Sequence, residues 1–196
     1  MGTMQKLQVS ETQYLEHQRA STTKYQYIDG AMYAMAGGSE EHNTICINVT
    51  SQLRQKLKGS SCKPFMADMM IKAGKSFFYP DVMVIFEPDE RDSRYLKHSP
   101  TLVVEVLSKS TRKTDLTSKK LAYMNMPSLQ EYVLIEQDKC EVEVFRRSQG
   151  WSSTYYLLGD SVHLASIDVT LSVQEMYDSI ENDDVREFLQ GKSAES

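Results

Sequence analysis

Cysteine is scarce. Cys46, Cys62 and Cys140 are odd in number and widely scattered, with neither the paired spacing of a zinc site nor a disulfide framework. They read as reduced thiols in a cytoplasmic protein. No apolar run approaches the roughly 18 to 20 residues that span a bilayer, so no membrane partner is expected. No basic segment precedes an apolar core at the start, so no secretory signal is expected. Positive charge is in deficit: 22 Lys and Arg against 27 Asp and Glu leave a net −5. That balance counts against tight non-specific binding of nucleic acid by the chain as a whole. Internal repeats and low-complexity linkers are absent. The four histidines are scattered and none follows a nucleophile motif, so no Ser-His-Asp or Cys-His arrangement is evident.

What the chain does have is two short apolar stretches that carry one acid each. The first is Phe78-Tyr79-Pro80-Asp81-Val82-Met83-Val84-Ile85-Phe86, and the second is Thr101-Leu102-Val103-Val104-Glu105-Val106-Leu107-Ser108. Both read as buried strands, short and β-branched. A carboxylate inside such a run loses hydration worth several kcal/mol unless a partner or a metal replaces it. Alternation puts Asp81 on a face with Met83 and Ile85, and Glu105 on a face with Val103 and Leu107. If the strands are neighbours, the two acids converge at one edge. Carboxylates are the preferred ligands of Mg²⁺, so the pair reads as a divalent-metal site. The plainer alternatives are a strand-start acid bonded to turn amides for Asp81 and a buried ion pair for Glu105.

The rest of the pattern predicts one domain over 1–196, with a core at about 25–180. Ser10 and Gln13 make a capping box that opens a short helix. Tyr25 to Met35 reads as a hairpin turning at Asp29-Gly30. Gly37-Gly38 breaks the chain, and Ser39 caps a helix to about Lys58 with Ile45, Val49, Leu53 and Leu57 on one face. Strands are expected near Pro64–Ile71, Phe78–Phe86 and Thr101–Leu107, then a helix from Lys113 to Met126 stopped by Pro127. Glu131–Glu136 and Glu141–Arg146 read as a hairpin. A strand near Thr154–Leu158 and a final helix from Ser172, with Glu175 closing its capping box, complete the chain, and residues from about Gly191 read as frayed. The class is α/β (α+β): a mixed, largely antiparallel sheet flanked by helices. Lys109, Arg112, Lys113, Lys119 and Lys120 cluster after the second acidic strand, either as a basic patch or as a solvated helix start. Trp151 and Tyr155-Tyr156 read as sheet packing.

Pro80-Asp81 followed by Glu105 on the next strand resembles the PD-(D/E)xK nuclease superfamily. A wider set of motifs resembles the Uma family of restriction-endonuclease-like proteins. The matching pieces are Tyr27-Ile28-Asp29-Gly30, Met35-Ala36-Gly37-Gly38-Ser39 with His42, Tyr79-Pro80-Asp81-Val82, and Glu105-Val106-Leu107-Ser108. Ser110-Thr111-Arg112, Asp115 with Lys119 and Tyr123, and Glu131-Tyr132-Val133-Leu134-Ile135 extend the match, which runs roughly from Ser10 to Tyr177.

The resemblance implies a restriction-endonuclease-like core, metal ligands on two adjacent strands, and hydrolysis of a DNA phosphodiester by water activated on Mg²⁺ (or Mn²⁺). In the usual pattern a Lys sits two residues after the Glu; here that position is Leu107. The family motif maps the displaced lysine onto Lys119, where periodicity alone leaves Lys119 and Lys120 both open. Asp115, Lys119 and Tyr123 fall at i, i+4 and i+8 on one helical stripe; Asp115 alone is most simply a helix-start acid. The motif makes His42 a site-lining residue for phosphate or a metal-bound water, with direct ligation of the metal as the alternative. Glu41 is expected at a helix start from the dipole alone, and Asp68 is a candidate either to extend the acidic cluster or to serve in a turn or ion pair. Double-strand cleavage needs two sites, so a homodimer is expected. Two further readings stay open: a non-catalytic DNA-binding or protein-interaction module that retains the fold, favoured by Leu107 and the acidic charge, and a metal-dependent hydrolase of a small phosphoester.

Overall fold

A computed structural model describes residues 9–35 and 37–194. Ala36 of the family motif lies outside the described residues, as do the first eight residues and the last two. Helix α1 (Glu11–Ala20) opens on the Ser10–Gln13 capping box. Strands β1 (Tyr25–Ile28) and β2 (Ala31–Ala34) form the hairpin. Its turn holds both central residues at positive φ, 46° at Asp29 and 86° at Gly30, as the Asp-Gly pair predicts. Helix α2 (Glu40–Lys56) starts at Ser39, whose hydroxyl accepts the His42 N–H. Its face of Ile45, Val49 and Leu53, continued by Leu57, is buried as expected.

The next segments depart from expectation. In place of one strand over Pro64–Ile71 there are two, β3 (Lys63–Met66) and β4 (Met70–Ala73). Likewise Phe78–Phe86 breaks into β5 (Ser76–Phe78) and β6 (Val82–Ile85). The chain changes sheets at Tyr79-Pro80-Asp81, where a residue without an N–H costs the ladder least. After the two-residue β7 (Leu96–Lys97) comes β8 (Leu102–Leu107), buried along its whole length. The helix expected from Lys113 is a composite: α3 (Arg112–Thr114), a π-helical turn (Asp115–Lys119) and α4 (Lys120–Met124).

Strands β9 (Glu131–Glu136), β10 (Glu141–Arg146) and β11 (Ser153–Leu157) follow. The hairpin β12 (Ser161–Leu164) and β13 (Val169–Ser172) was not anticipated, although its alternating exposure is that of a half-buried pair. The final helix is also two helices. Ser172 caps only the short α5 (Val173–Met176), and α6 (Asp183–Ala194) runs on through Gly191.

Six strands make the main sheet in the order β11-β10-β9-β8-β6-β3, and five make a second, β2-β1-β5-β4-β7. Within the main sheet β8 and β9 are parallel, joined by the composite helix, and the other neighbours are antiparallel. One face of the sheet (Val82, Val84, Val104, Val106, Val133, Ile135) packs on α2, α5 and the β12–β13 hairpin. The other face (Met83, Ile85, Val103, Leu107, Tyr132, Leu134) packs with Tyr123, Met126 and Leu129. Each buried Val, Leu or Ile contributes about 1.5–3 kcal/mol, so β6 and β8, covered on both faces, are the anchor of the sheet. This mixed, mostly antiparallel α/β arrangement is the class the sequence predicts.

Candidate active site

Asp81 ends the corner that leads into β6, and Glu105 lies near the end of β8. The antiparallel register Val82↔Val104, Met83↔Val103, Val84↔Leu102 sets the two acids opposite each other one step beyond the ladder. Because the chain has turned away at Pro80, no β6 carbonyl is available there, and Asp81 Oδ2 accepts the Val106 N–H at 2.8 Å. The same oxygen lies 3.3 Å from His42 Nε2, presented from the first turn of α2. Burial disfavours the imidazolium, but the hydrogen bond to Asp81 outweighs it, and the His42 pKa is raised.

Glu105 is 1% exposed and points to the face covered by the composite helix. Its two oxygens have separate partners: Oε2 lies 3.1 Å from Lys119 Nζ, and Oε1 accepts the Tyr123 hydroxyl at 3.0 Å. Lys119, itself 2% exposed, also lies 2.8 Å from Asp115 Oδ1. That contact is off the hydrogen-bonding direction, so Asp115 Oδ1 has no aligned donor. Tyr132 donates to the Asp115 backbone carbonyl at 3.1 Å. The π-helical turn, a local widening common at functional sites, leads into α4, so that Lys119 and Tyr123 both reach Glu105 while Asp115 reaches Lys119.

Desolvation pushes the Glu105 carboxyl well above its ordinary range; Lys119 opposes this, and Asp115 and Asp81 add to it. Desolvation alone would lower Lys119, but Glu105, Asp115 and Asp81 together raise it, so the ammonium persists. Three acidic groups, Asp81, Asp115 and Glu105, therefore lie around one ammonium. Acidic groups in excess of their one lysine are an environment suited to a hard divalent ion.

The other residues singled out from the sequence divide clearly. Lys120 is away from the acids, over the Phe145 ring with Nζ 3.5 Å from its centroid. Leu107, in the usual lysine position, is buried in the apolar core. Glu41 is exposed and accepts from Ser39, which lowers its pKa. Asp68 is not on a strand: it sits in an exposed turn at φ 86°, paired with Lys24, and does not extend the cluster. The basic patch is dispersed too, since Lys119 is buried, Lys120 covers Phe145, and Arg112 pairs with Glu136. Lys109 and Lys113 remain exposed. Cys46, read from the sequence as a plain reduced thiol, lies four residues after His42 on the same helical face. Its Sγ is 3.7 Å from His42 Nδ1.

The sequence model of the Uma2 family, described as "Putative restriction endonuclease", matches residues 11–174. The chain belongs to the Uma2 family. Two relatives in Synechocystis sp. (strain PCC 6803), the uncharacterized proteins slr1290 and sll1609, are each 32% identical to it. The first aligns over 86% of this chain and 91% of its own length, the second over 80% and 91%. A solved structure from Anabaena variabilis, described as a putative nuclease belonging to DUF820, superposes with a TM-score of 0.71 at 19% identity. It covers 86% of this chain and 97% of that one, and establishes that the Uma2 chain shares its fold. Among the described residues no helix is long and apolar enough to cross a membrane.

Proposed function

We propose that this Uma2 chain is a Mg²⁺- or Mn²⁺-dependent endonuclease that hydrolyses DNA phosphodiester bonds. The observation that carries the reading is the opposition of Asp81 and Glu105 one step beyond the β6–β8 ladder, with Lys119 delivered to Glu105 by the π-helical turn. Asp81 and Glu105 would hold the ion, which supplies an activated water and neutralises charge on the phosphate. The Lys119 ammonium offsets negative charge that develops beside it. His42, only partly exposed and 3.3 Å from Asp81, would bind a phosphate oxygen or hold a water. Lys109 and Lys113 are the exposed cations left for the DNA backbone, so association weakens with salt. Cutting both strands calls for two such sites, and a cytoplasmic homodimer is part of the proposal; sedimentation of monomer alone at micromolar concentration would count against it.

The test compares wild type and Asp81→Ala on duplex and single-stranded DNA, with and without Mg²⁺ or Mn²⁺. Cleavage should require the ion and disappear in the variant; activity that survives the substitution places the chemistry elsewhere. One observation favours a second reading, a binding module. Glu105 and Lys119 are almost fully buried and paired with each other, as a purely structural ion pair would be. Failure to cleave any substrate with either ion selects it.

A further inference from the structure

His42, Cys46 and Asp81 form a cluster that the nuclease reading does not fully use. His42 and Cys46 are one turn apart on α2, and Asp81 faces them from the corner before β6. One nitrogen of His42, the Cys46 sulfur and one oxygen of Asp81 all lie within 4.8 Å of one another. The closest approaches are 3.7 Å for Nδ1 to Sγ and 3.3 Å for Nε2 to Oδ2. Bond lengths of about 2.0–2.3 Å to a tetrahedral zinc ion set its ligand atoms roughly 3.3–3.6 Å apart. Those two contacts use opposite ring nitrogens, of which one ion takes a single one; with one ligand atom from each residue already inside 4.8 Å, rotation of the side chains brings the set to ligand spacing.

The setting is built for a ligand set rather than left to solvent. Cys46 is 5% exposed, and the His42 and Asp81 side chains are 16% and 20% exposed. Gly38 leaves the imidazole its place: a Cβ there would stand 2.8 Å from His42 Nδ1. Mg²⁺ takes oxygen ligands, whereas a nitrogen, sulfur and oxygen set suits a borderline-soft ion.

We propose that His42, Cys46 and Asp81 form a second metal site, for a divalent ion of the zinc type, that shares Asp81 with the Mg²⁺ site. The ion takes the place of the Cys46 thiol proton, which is released to solvent. Zn²⁺ bound here withdraws Asp81 from the Mg²⁺ pair and switches cleavage off. Binding stands on this geometry alone; only the switch rests on the nuclease reading.

Co²⁺ titrated into the metal-stripped full chain, under a non-thiol reductant, reports the site directly. The wild type should develop a thiolate-to-cobalt charge-transfer band that Zn²⁺ then abolishes. Cys46→Ser and His42→Gln should lose the band, with circular dichroism confirming their fold, while Cys62→Ser and Cys140→Ser keep it. Glu105→Gln should keep the band yet lose Mn²⁺ binding. Zn²⁺ suppression of cleavage should need at least about tenfold more metal in Cys46→Ser, the loss typical of removing even an outer-shell partner. No band in the wild type, a band that survives Cys46→Ser, or loss of the band in Glu105→Gln each overturns the second site. A wild type that shows the band but cuts no DNA keeps the site and removes only the nuclease reading.

Discussion

Glu105 on β8 and Glu131 on β9 are buried carboxylates on neighbouring strands, 1% and 2% exposed, yet they keep different company. Glu131 is saturated: Oε1 accepts from Arg146 Nε at 3.2 Å, and Oε2 accepts the Ser166 N–H at 3.0 Å and its hydroxyl. Arg146 Nη2 donates to the Tyr156 hydroxyl and the His163 carbonyl, each at 3.0 Å. One acid meets one base, and the contacts tie β9 and β10 to each other, to β11 and to the β12–β13 hairpin. Glu105 stands in a group with too many acids for its one lysine. Burial depth is the same in both places. What separates a brace from a candidate site is whether the charges balance.

The largest expected difference between the two is in activity. Glu105→Gln should cut metal-dependent cleavage by at least about 10²-fold, the scale on which a single charge-stabilising group acts. Stability comes next, with opposite signs at the two sites. Glu131→Ala leaves Arg146 buried and unpaired and should cost about 3–5 kcal/mol, read as a lower urea midpoint. Glu105→Gln should instead gain on the wild type as pH rises. The folded Glu105 holds its proton more tightly than the unfolded chain does, so its linked stability is present below the ordinary carboxylate range. It is lost as pH climbs through the raised folded value. Urea melts of both proteins at several pH values check the sign; a gap that shrinks with pH would show that Lys119 fully balances Glu105.

A smaller effect is expected at His42. In the metal-free protein its ring should titrate above the ordinary histidine range and fall back in Asp81→Asn, as followed by NMR. The stability it contributes is present below about 6.5 and lost as pH rises through the raised folded value. The smallest effect belongs to the exposed Lys24–Asp68 pair, where Asp68→Ala should shift stability by no more than about 1 kcal/mol and leave Mn²⁺ binding unchanged.

Asp81 and Glu105 were visible in the sequence because an acid within a β-branched run has no ordinary reason to be there. The face of α2 and the Asp29-Gly30 turn were legible for equally local reasons. The division of Phe78–Phe86 between two sheets was not, since Phe77, Phe78, Val82 and Met83 are all buried and continuous apolarity erases the period that marks a boundary. Pro80 was the one available signal. Asp115 passed for a helix-start acid because regular helical spacing gives no hint of a π-helical turn, although its i, i+4 distance from Lys119 already paired them. Cys46 could have been found by the same arithmetic from His42. The β12–β13 hairpin alternates plainly in Ser161–Leu164 and Val169–Ser172, but each strand has only four residues.

The Val106 N–H is bonded to a side chain, Asp81 Oδ2, at a point where its neighbours in β8 are held by other strands. Amide protons deep in a central strand exchange with solvent only when much of the molecule opens, whereas this one is guarded by a single carboxylate. Its deuterium uptake is therefore a built-in gauge of what Asp81 is doing. An ion that draws Asp81 away should speed exchange at Val106 while Val103 and Val104 stay slow, giving a residue-level signal of occupancy that needs neither DNA nor turnover.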